Sequence, residues 1–322
     1  MTKEQIIHSL EKNLLSFCKD IKTSPTVVTW RGEKKKSEWS RKIDIPEGNS
    51  LCGYLKSIFG ISNHNWDELF KQATSGLGQE AEKISTLHSS SLLALLYFSN
   101  VTKESPLYID GIGYTKVWFE VKNKVFDKPS NIDVVLGNED EDLLFIESKF
   151  TEYLFPDNSS FAKKYLNFYA NILPRIEGYP LRMLYPRKYD GKDGMGLEAS
   201  SDAKLYSHLY MNGIKQCFSH LIGLCQGPDD DSCLQWGKFK GKIRFATILF
   251  YFPGDEFRAY RDFYSNTVGR ITATDLKASI ATIPEIKDNH TDHIEVAPAV
   301  YLYQDVFKDF ELPKNIKKYY DL

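Results

Sequence analysis

The 322-residue sequence predicts a mixed α/β fold, with a central mixed β-sheet flanked by helices. Three observations carry this. A helix-period stripe at 77–99 comes before three strand-like segments, at 116–121, 132–136 and 143–150. A helical segment at 203–225 then leads into an apolar strand at 243–252. The later strands are apolar almost throughout, as strands covered on both faces are.

Taken in order, residues 4–21 carry Ile6, Ile7, Leu10, Leu14, Phe17 and Ile21 at helical spacing. Residues 22–42 hold Lys22, Arg31, Lys34, Lys35, Lys36, Arg41 and Lys42, interleaved with Trp30 and Trp39. This stretch is expected to be a solvated basic loop whose tryptophans anchor in the core. Short helices with Gly and Asn breaks are expected over 51–75. The stripe at 77–99 runs through Ile84, Leu87, Ser91, Leu95 and Phe98, with Glu80 at its start. In 116–121, Val117, Phe119 and Val121 alternate with Lys116, Trp118 and Glu120, so the second set is expected to face solvent. Residues 160–173 read as a helix, and a long ordered loop rich in Gly, Pro and Tyr follows it. A further helix is expected at 255–265. The domain reading is an N-terminal helical and basic region at 1–75, a core at 76–252, and an extension of the same domain at 253–322.

Composition narrows the function classes. Hydrophobic residues make up 42% and aromatics 14%, which excludes disorder and coiled coil as the main architecture. The net charge of −2 excludes a protein that coats nucleic acid by bulk charge, so any such contact must be local. Five sparse cysteines without a Cys-x-x-Cys pair indicate neither a disulfide framework nor a structural zinc site. No apolar run approaches the ~20 residues of a membrane helix. Charges recur through the N-terminal segment, and a cytoplasmic protein with no membrane partner is expected. Neither a phosphate-binding Gly-rich loop nor a Gly-x-Ser-x-Gly elbow is present. The two histidines of the His290-Thr291-Asp292-His293 string are too few, and lack the helical context, for a zinc site.

The chemistry concentrates around the hairpin formed by the second and third strands. If Gly137 pairs with Leu143, Asp133 lies opposite Glu147 and shares its face, as does Lys149 two residues on. Two carboxylates and an ammonium then converge at the end of apolar strands, where charge is expensive. A divalent cation relieves the carboxylate repulsion, and hard oxygen ligands suit Mg2+. The lysine can orient a metal-bound water and stabilise developing negative charge. The acid-x-Lys pattern also occurs at Glu120-Val121-Lys122, but Glu120 falls on the alternating strand's polar face, so Glu147 is preferred and Glu120 kept as an outer ligand.

Asp133, thirteen intervening residues and then Glu147-Ser148-Lys149 resembles the signature of the PD-(D/E)XK nuclease superfamily, which has the restriction-endonuclease-like fold. The string Ile146-Glu147-Ser148-Lys149-Phe150-Thr151-Glu152 resembles a bacterial branch of it. The Pro of the family name stands at Pro129 rather than directly before the Asp. The resemblance covers roughly 76–252. It implies Mg2+ (Mn2+ as a substitute) held by Asp133, Glu147 and the Ser148 carbonyl, with Lys149 assisting the water. It also implies a supporting acid on the preceding helix, matched by Glu80, and a polar pair on a later helix, matched by Gln216 and His220 on a face where Gly213 permits close approach. The activity so implied is Mg2+-dependent hydrolysis of DNA, with a homodimer as one way to cut both strands. The alternatives are a non-catalytic DNA-binding member of the fold and a nuclease for RNA or branched DNA. Candidate phosphate contacts are Lys34, Lys35, Lys36, Arg41, Lys163, Lys164, Arg187 and Lys188.

Overall fold

The structure, a computed structural model, describes residues 1–30, 33–75, 83–126, 128–154, 161–162, 181–189, 192–199, 211–266, 268–281, 283, 294 and 299–322. The first helix, α1 (Lys3–Phe17), starts at Thr2, whose hydroxyl accepts from Gln5 N while the Gln5 side chain accepts from Thr2 N. Its Ile6, Ile7, Leu10 and Leu14 are buried.

The basic stretch is not a loop. It forms an antiparallel pair, β1 (Thr23–Trp30) and β2 (Glu33–Ile43), in register from Thr23↔Ile43 to Trp30↔Glu33. Its Thr, Val and Trp residues favour the pleated backbone, and the run of lysines hid that preference. The side chains of Trp30 and Trp39 lie outside the described residues. Helices α2 (Leu51–Phe59) and α3 (Trp66–Ala73) follow as expected.

The continuous helix expected over 77–99 is corrected. Lys83 is helical, residues 84–89 are turns and a bridge, and α4 (Ser90–Phe98) starts afresh with the Ser89 hydroxyl accepting from Leu92 N at 3.1 Å; residues 77–82 lie outside the described residues. The turns before it are tied to β2 by Ile43 N→Ser85 O and Leu87 N→Arg41 O, both 2.9 Å. Ile84 and Leu87 are buried in those turns, so their spacing matched a helix without requiring one.

A short hairpin, β3 (Leu107–Ile109) and β4 (Ile112–Tyr114), turns at Asp110 and Gly111, both with positive φ. Then come β5 (Lys116–Val125), β6 (Lys128–Gly137) and β7 (Leu143–Lys149). The stretch expected as a long loop contains strands β9 (Leu181–Tyr189) and β10 (Lys192–Ala199), which form a sheet with β8 (Phe161–Ala162) in the order β8-β10-β9. The helix expected over 160–173 lies outside the described residues apart from β8.

Helix α5 (Met211–Gln226) leads to β11 (Ile243–Leu249), and α6 (Asp255–Asn266), α7 (Ala273–Ile280), β12 (Ala299–Leu302), α8 (Tyr303–Val306) and α9 (Lys314–Tyr319) complete the described elements. The central sheet has the order β12-β11-β7-β6-β5. The meander β5-β6-β7 is antiparallel, whereas β11 runs parallel to β7 and to β12. The molecule is thus mixed α/β, with a five-stranded mixed sheet flanked by helices.

The two sheet faces are covered by different helices. Glu147 meets His220 of α5, while Ser148, pointing the other way, lies beside Ser90 of α4. Helix α5 sits close on β5 because Gly223 carries no side chain: a Cβ there would lie 2.8 Å from Cβ of Asn123. Replacing Gly223 with alanine is therefore expected to destabilise the fold by ~1–3 kcal/mol in urea unfolding, through forced separation of helix and strand. The surroundings of Gly213 lie outside the described residues.

Candidate active site

The hairpin between β6 and β7 sets the site's register. Asn138 Oδ1 accepts from Asp140 N at 3.0 Å and from Asp142 N at 2.9 Å, closing the turn. The ladder then runs from Gly137↔Leu143 to Val134↔Ile146, as the sequence predicted. One further step places Asp133 opposite Glu147. A slip of one residue would put them on opposite faces.

The strands diverge at this step. Asp133 Oδ2 accepts from the backbone N–H of Ser148 at 2.7 Å, so the side chain takes a donor that would otherwise continue a ladder. On β7, Glu147 is clamped at both oxygens: Oε1 lies 2.5 Å from Lys149 Nζ, and Oε2 lies 2.6 Å from His220 Nε2. Lys149 also donates to Gln216 Oε1 at 2.9 Å. His220 Nδ1 lies 2.6 Å from Ser130 Oγ, a hydroxyl able to donate or accept as the imidazole requires. Gln216 and His220, four residues apart on α5, therefore address the Lys149–Glu147 pair from above.

Burial sets the electrostatics. Glu147 is 1% exposed, Lys149 5% and His220 3%. Desolvation pushes the Glu147 carboxyl up, but Lys149 and His220 outweigh it and hold it down at about 2. Desolvation pulls Lys149 down, and Glu147, Glu152 and Asp133 more than restore it, so the ammonium persists well above the usual lysine range. Asp133 goes the other way: burial first, then the neighbouring Glu147 charge, raise it well above the ordinary carboxylate range, with Lys149 opposing. It is nevertheless only half-buried, the acid of the pair with a route to solvent.

The solvated face expected for Glu120 is corrected. Glu120 is 8% exposed and takes φ +49°, and its charge acts on Asp133. It lies between the pairs Phe119↔Val134 and Val121↔Ile132, so it faces Asp133 across β5 and β6. Its Oε2 accepts from Asn131 Nδ2 at 3.2 Å. A left-handed backbone at a non-glycine strand residue costs ~1–2 kcal/mol and is held only where surroundings over-determine it. Alternation gave the side of β5 correctly, but the side taken as solvated is the one that Glu120 shares with Asp133 and that is buried.

The remaining expected residues divide by location. Ser148 sits between the acids, with its hydroxyl on the opposite face, 2.7 Å from the hydroxyl of Tyr303. Arg41 is engaged within the N-terminal region, 3.0 Å from Glu11 and hydrogen-bonded to Thr23. Lys36 is exposed on β2, where Lys34 and Lys35 pair with Thr29 and Val28. Arg187 and Lys188 lie on β9, opposite Gly194 and Asp193. Glu80, Lys163, Lys164 and the His290–His293 string lie outside the described residues, as do the side chains of Lys34, Lys35, Arg187 and Lys188.

Sequence reasoning missed Ser130, Thr247 and Tyr303. Thr247 gave a signal as the one polar residue in the apolar run Phe245–Phe250; it pairs with Glu147 in the sheet, and its hydroxyl lies 3.7 Å from Cys217 Sγ. Ser130 had only its place three residues before Asp133, and Tyr303 had none.

A divalent cation suits this donor set. Among the described residues no three His, Cys, Asp or Glu side chains are grouped to hold a metal ion. Mg2+ does not require that: it is held by one or two carboxylates and keeps several waters. Asp133 offers a carboxylate that is unfavourable as a bare anion beside Glu147, and each Glu147 oxygen retains a second lone pair. Comparison with known proteins yielded no matching family model, curated protein or solved structure. No helix among the described residues is long and apolar enough to cross a membrane.

Proposed function

We propose that this chain is a Mg2+-dependent deoxyribonuclease of the PD-(D/E)XK type, with a restriction-endonuclease-like core. The observation that carries the reading is the acidic row Glu120, Asp133 and Glu147 across β5, β6 and β7, with Lys149 ending the last of these strands. The order helix, three-stranded meander, helix, parallel strand supports it. So does the polar pair Gln216 and His220, which reaches the acid and lysine from the intervening helix.

In this reading Asp133, Glu147 and the Ser148 carbonyl hold Mg2+, with Mn2+ as a substitute and Glu120 as an outer acid. The bound ion supplies charge neutralisation at the phosphate and a more acidic water. Lys149 orients the attacking water and offsets the negative charge that develops on the phosphoryl oxygens. His220, steadied by Ser130, fixes Glu147 in one orientation. Gln216 restrains the Lys149 ammonium, so the two ends of the pair do not drift apart. Double-stranded DNA is the proposed substrate and a homodimer the proposed state for cutting both strands.

One observation favours a second reading, a non-catalytic DNA-binding member of the fold: both Glu147 oxygens already accept from Lys149 and His220. Plasmid nicking by Glu147→Ala and Glu120→Ala variants separates the readings. The nuclease reading expects Glu147→Ala to lose activity by at least ~100-fold and Glu120→Ala to retain most of it. The reverse order would move the site to Glu120. Equal duplex binding without nicking by any form, wild type included, would favour the binding module.

A further inference from the structure

We infer that Tyr303, in the C-terminal segment outside the nuclease-like core, is a positioning residue for the acidic site: its hydroxyl holds Ser148 and thereby the peptide that docks on Asp133. Its consequence for cleavage rests on the nuclease reading, whereas its geometry does not.

Register brings Tyr303 to this place. Lys149 pairs with Leu249 on β11, and Leu249 pairs with Leu302 on β12. All three strands run parallel, so the chain leaving Leu302 emerges at the sheet end where Lys149 stands. Tyr303 is the next residue. The carboxyl ends of parallel strands are where α/β sheets collect their functional groups.

Contacts complete the lever. The Tyr303 hydroxyl lies 2.7 Å from Ser148 Oγ, 155 residues away in sequence. Both residues are almost wholly inaccessible, at 0% and 1% exposure, so water cannot replace either partner. The other contact of the Ser148 hydroxyl, to the Ser90 carbonyl, is long at 3.5 Å. The Tyr303 ring is itself immobilised: Tyr97 meets it edge-on at 5.0 Å, Phe98 at 5.9 Å, and Phe307 stacks on it at 5.9 Å. From the far side of the sheet, a rigid hydroxyl thus pins the residue whose N–H donates to Asp133 at 2.7 Å. The Ser148 peptide is fixed from both faces, and with it the separation of Asp133 from Glu147.

Tyr303→Phe tests this, since it keeps the ring and removes the hydroxyl. Two readouts are taken: hydrogen exchange at the Ser148 amide without metal, and the half-saturating Mg2+ concentration for plasmid cleavage. Exchange is expected to rise by roughly fivefold or more, and the half-saturating Mg2+ concentration by roughly five- to tenfold, the worth of one hydrogen bond. A merely structural effect would come from the orphaned Ser148 hydroxyl, and adding Ser148→Ala would then return both readouts to wild type. Positioning predicts no such recovery in the double variant. Unchanged exchange in Tyr303→Phe, or full recovery in the double variant, overturns the inference. If the wild-type protein cleaves nothing, the nuclease reading falls, while the Ser148 exchange still decides whether Tyr303 holds this peptide.

Discussion

Lys149→Ala is expected to destabilise the protein by ~3–5 kcal/mol and, on the nuclease reading, to abolish Mg2+-dependent cleavage, a combination that a surface lysine would not give. The ammonium is nearly inaccessible and lies 2.5 Å from Glu147. It also acts on the half-buried carboxyls of Asp133 and Glu152. Removing it leaves carboxylates in a dry site without their cation, and truncating one partner of such a pair is far more costly than the pair's net worth. On the nuclease reading, activity should fall by at least ~100-fold because the ammonium that would orient the water and offset charge on the phosphate is gone. Urea unfolding and plasmid nicking, run on the same preparation, measure the two effects. Unchanged stability would mean that the Lys149–Glu147 contact is not formed in solution.

Asp133→Asn is expected to separate stability from activity. Burial and the Glu147 charge hold the Asp133 carboxyl well above the usual range. A group whose folded pKa is raised stabilises the fold in acid and loses that contribution as pH rises through the raised value. Glu147, held at about 2, does the opposite: it contributes above the unfolded carboxylate range and loses that contribution as pH falls toward about 2. In EDTA, wild-type stability should therefore decline as pH rises from the unfolded carboxylate range toward the raised Asp133 value. The neutral amide removes that decline, so Asp133→Asn should match or exceed wild-type stability at neutral pH while losing cleavage. Mg2+ should restore wild-type stability where Asp133 is ionised and do nothing for the variant, because only the anion binds the ion. Thermal denaturation from about pH 5 to about pH 9, with and without Mg2+, reads all of this. A wild-type midpoint that rises across the same range would contradict the assignment.

What the sequence made legible follows from which signals are local. The β6–β7 hairpin was readable because its turn and its apolar runs agree on one register, and that register alone put Asp133 opposite Glu147. The α5 pair was readable only through the resemblance, which implies a polar pair four residues apart on a later helix, a pattern that Gln216 and His220 match. Glu120 was misread because alternation sorts a strand's two faces without saying which is covered, and the face it shares with Asp133 is buried. The helix assigned over 77–99 failed at Ser89, where a capping hydroxyl starts α4 after a stretch of turns that bury Ile84 and Leu87 just as a helix would. Tyr303 could not be found at all. Its contact with Ser148 depends on the parallel pairing of β12 with β11, a long-range choice that no window of sequence encodes.

The nuclease reading meets its most direct test in incubation of supercoiled plasmid and linear duplex DNA with the purified protein in Mg2+, in Ca2+ and in EDTA. Nicking or linearisation in Mg2+, absent in Ca2+ and in EDTA, is the result expected from two carboxylates and a lysine arranged to act with a hard cation. Cleavage that persists undiminished in EDTA would contradict it, because the acids of β6 and β7 would then have no part in the chemistry. Intact DNA in every condition, together with no heat of Mg2+ binding by calorimetry, would contradict it equally.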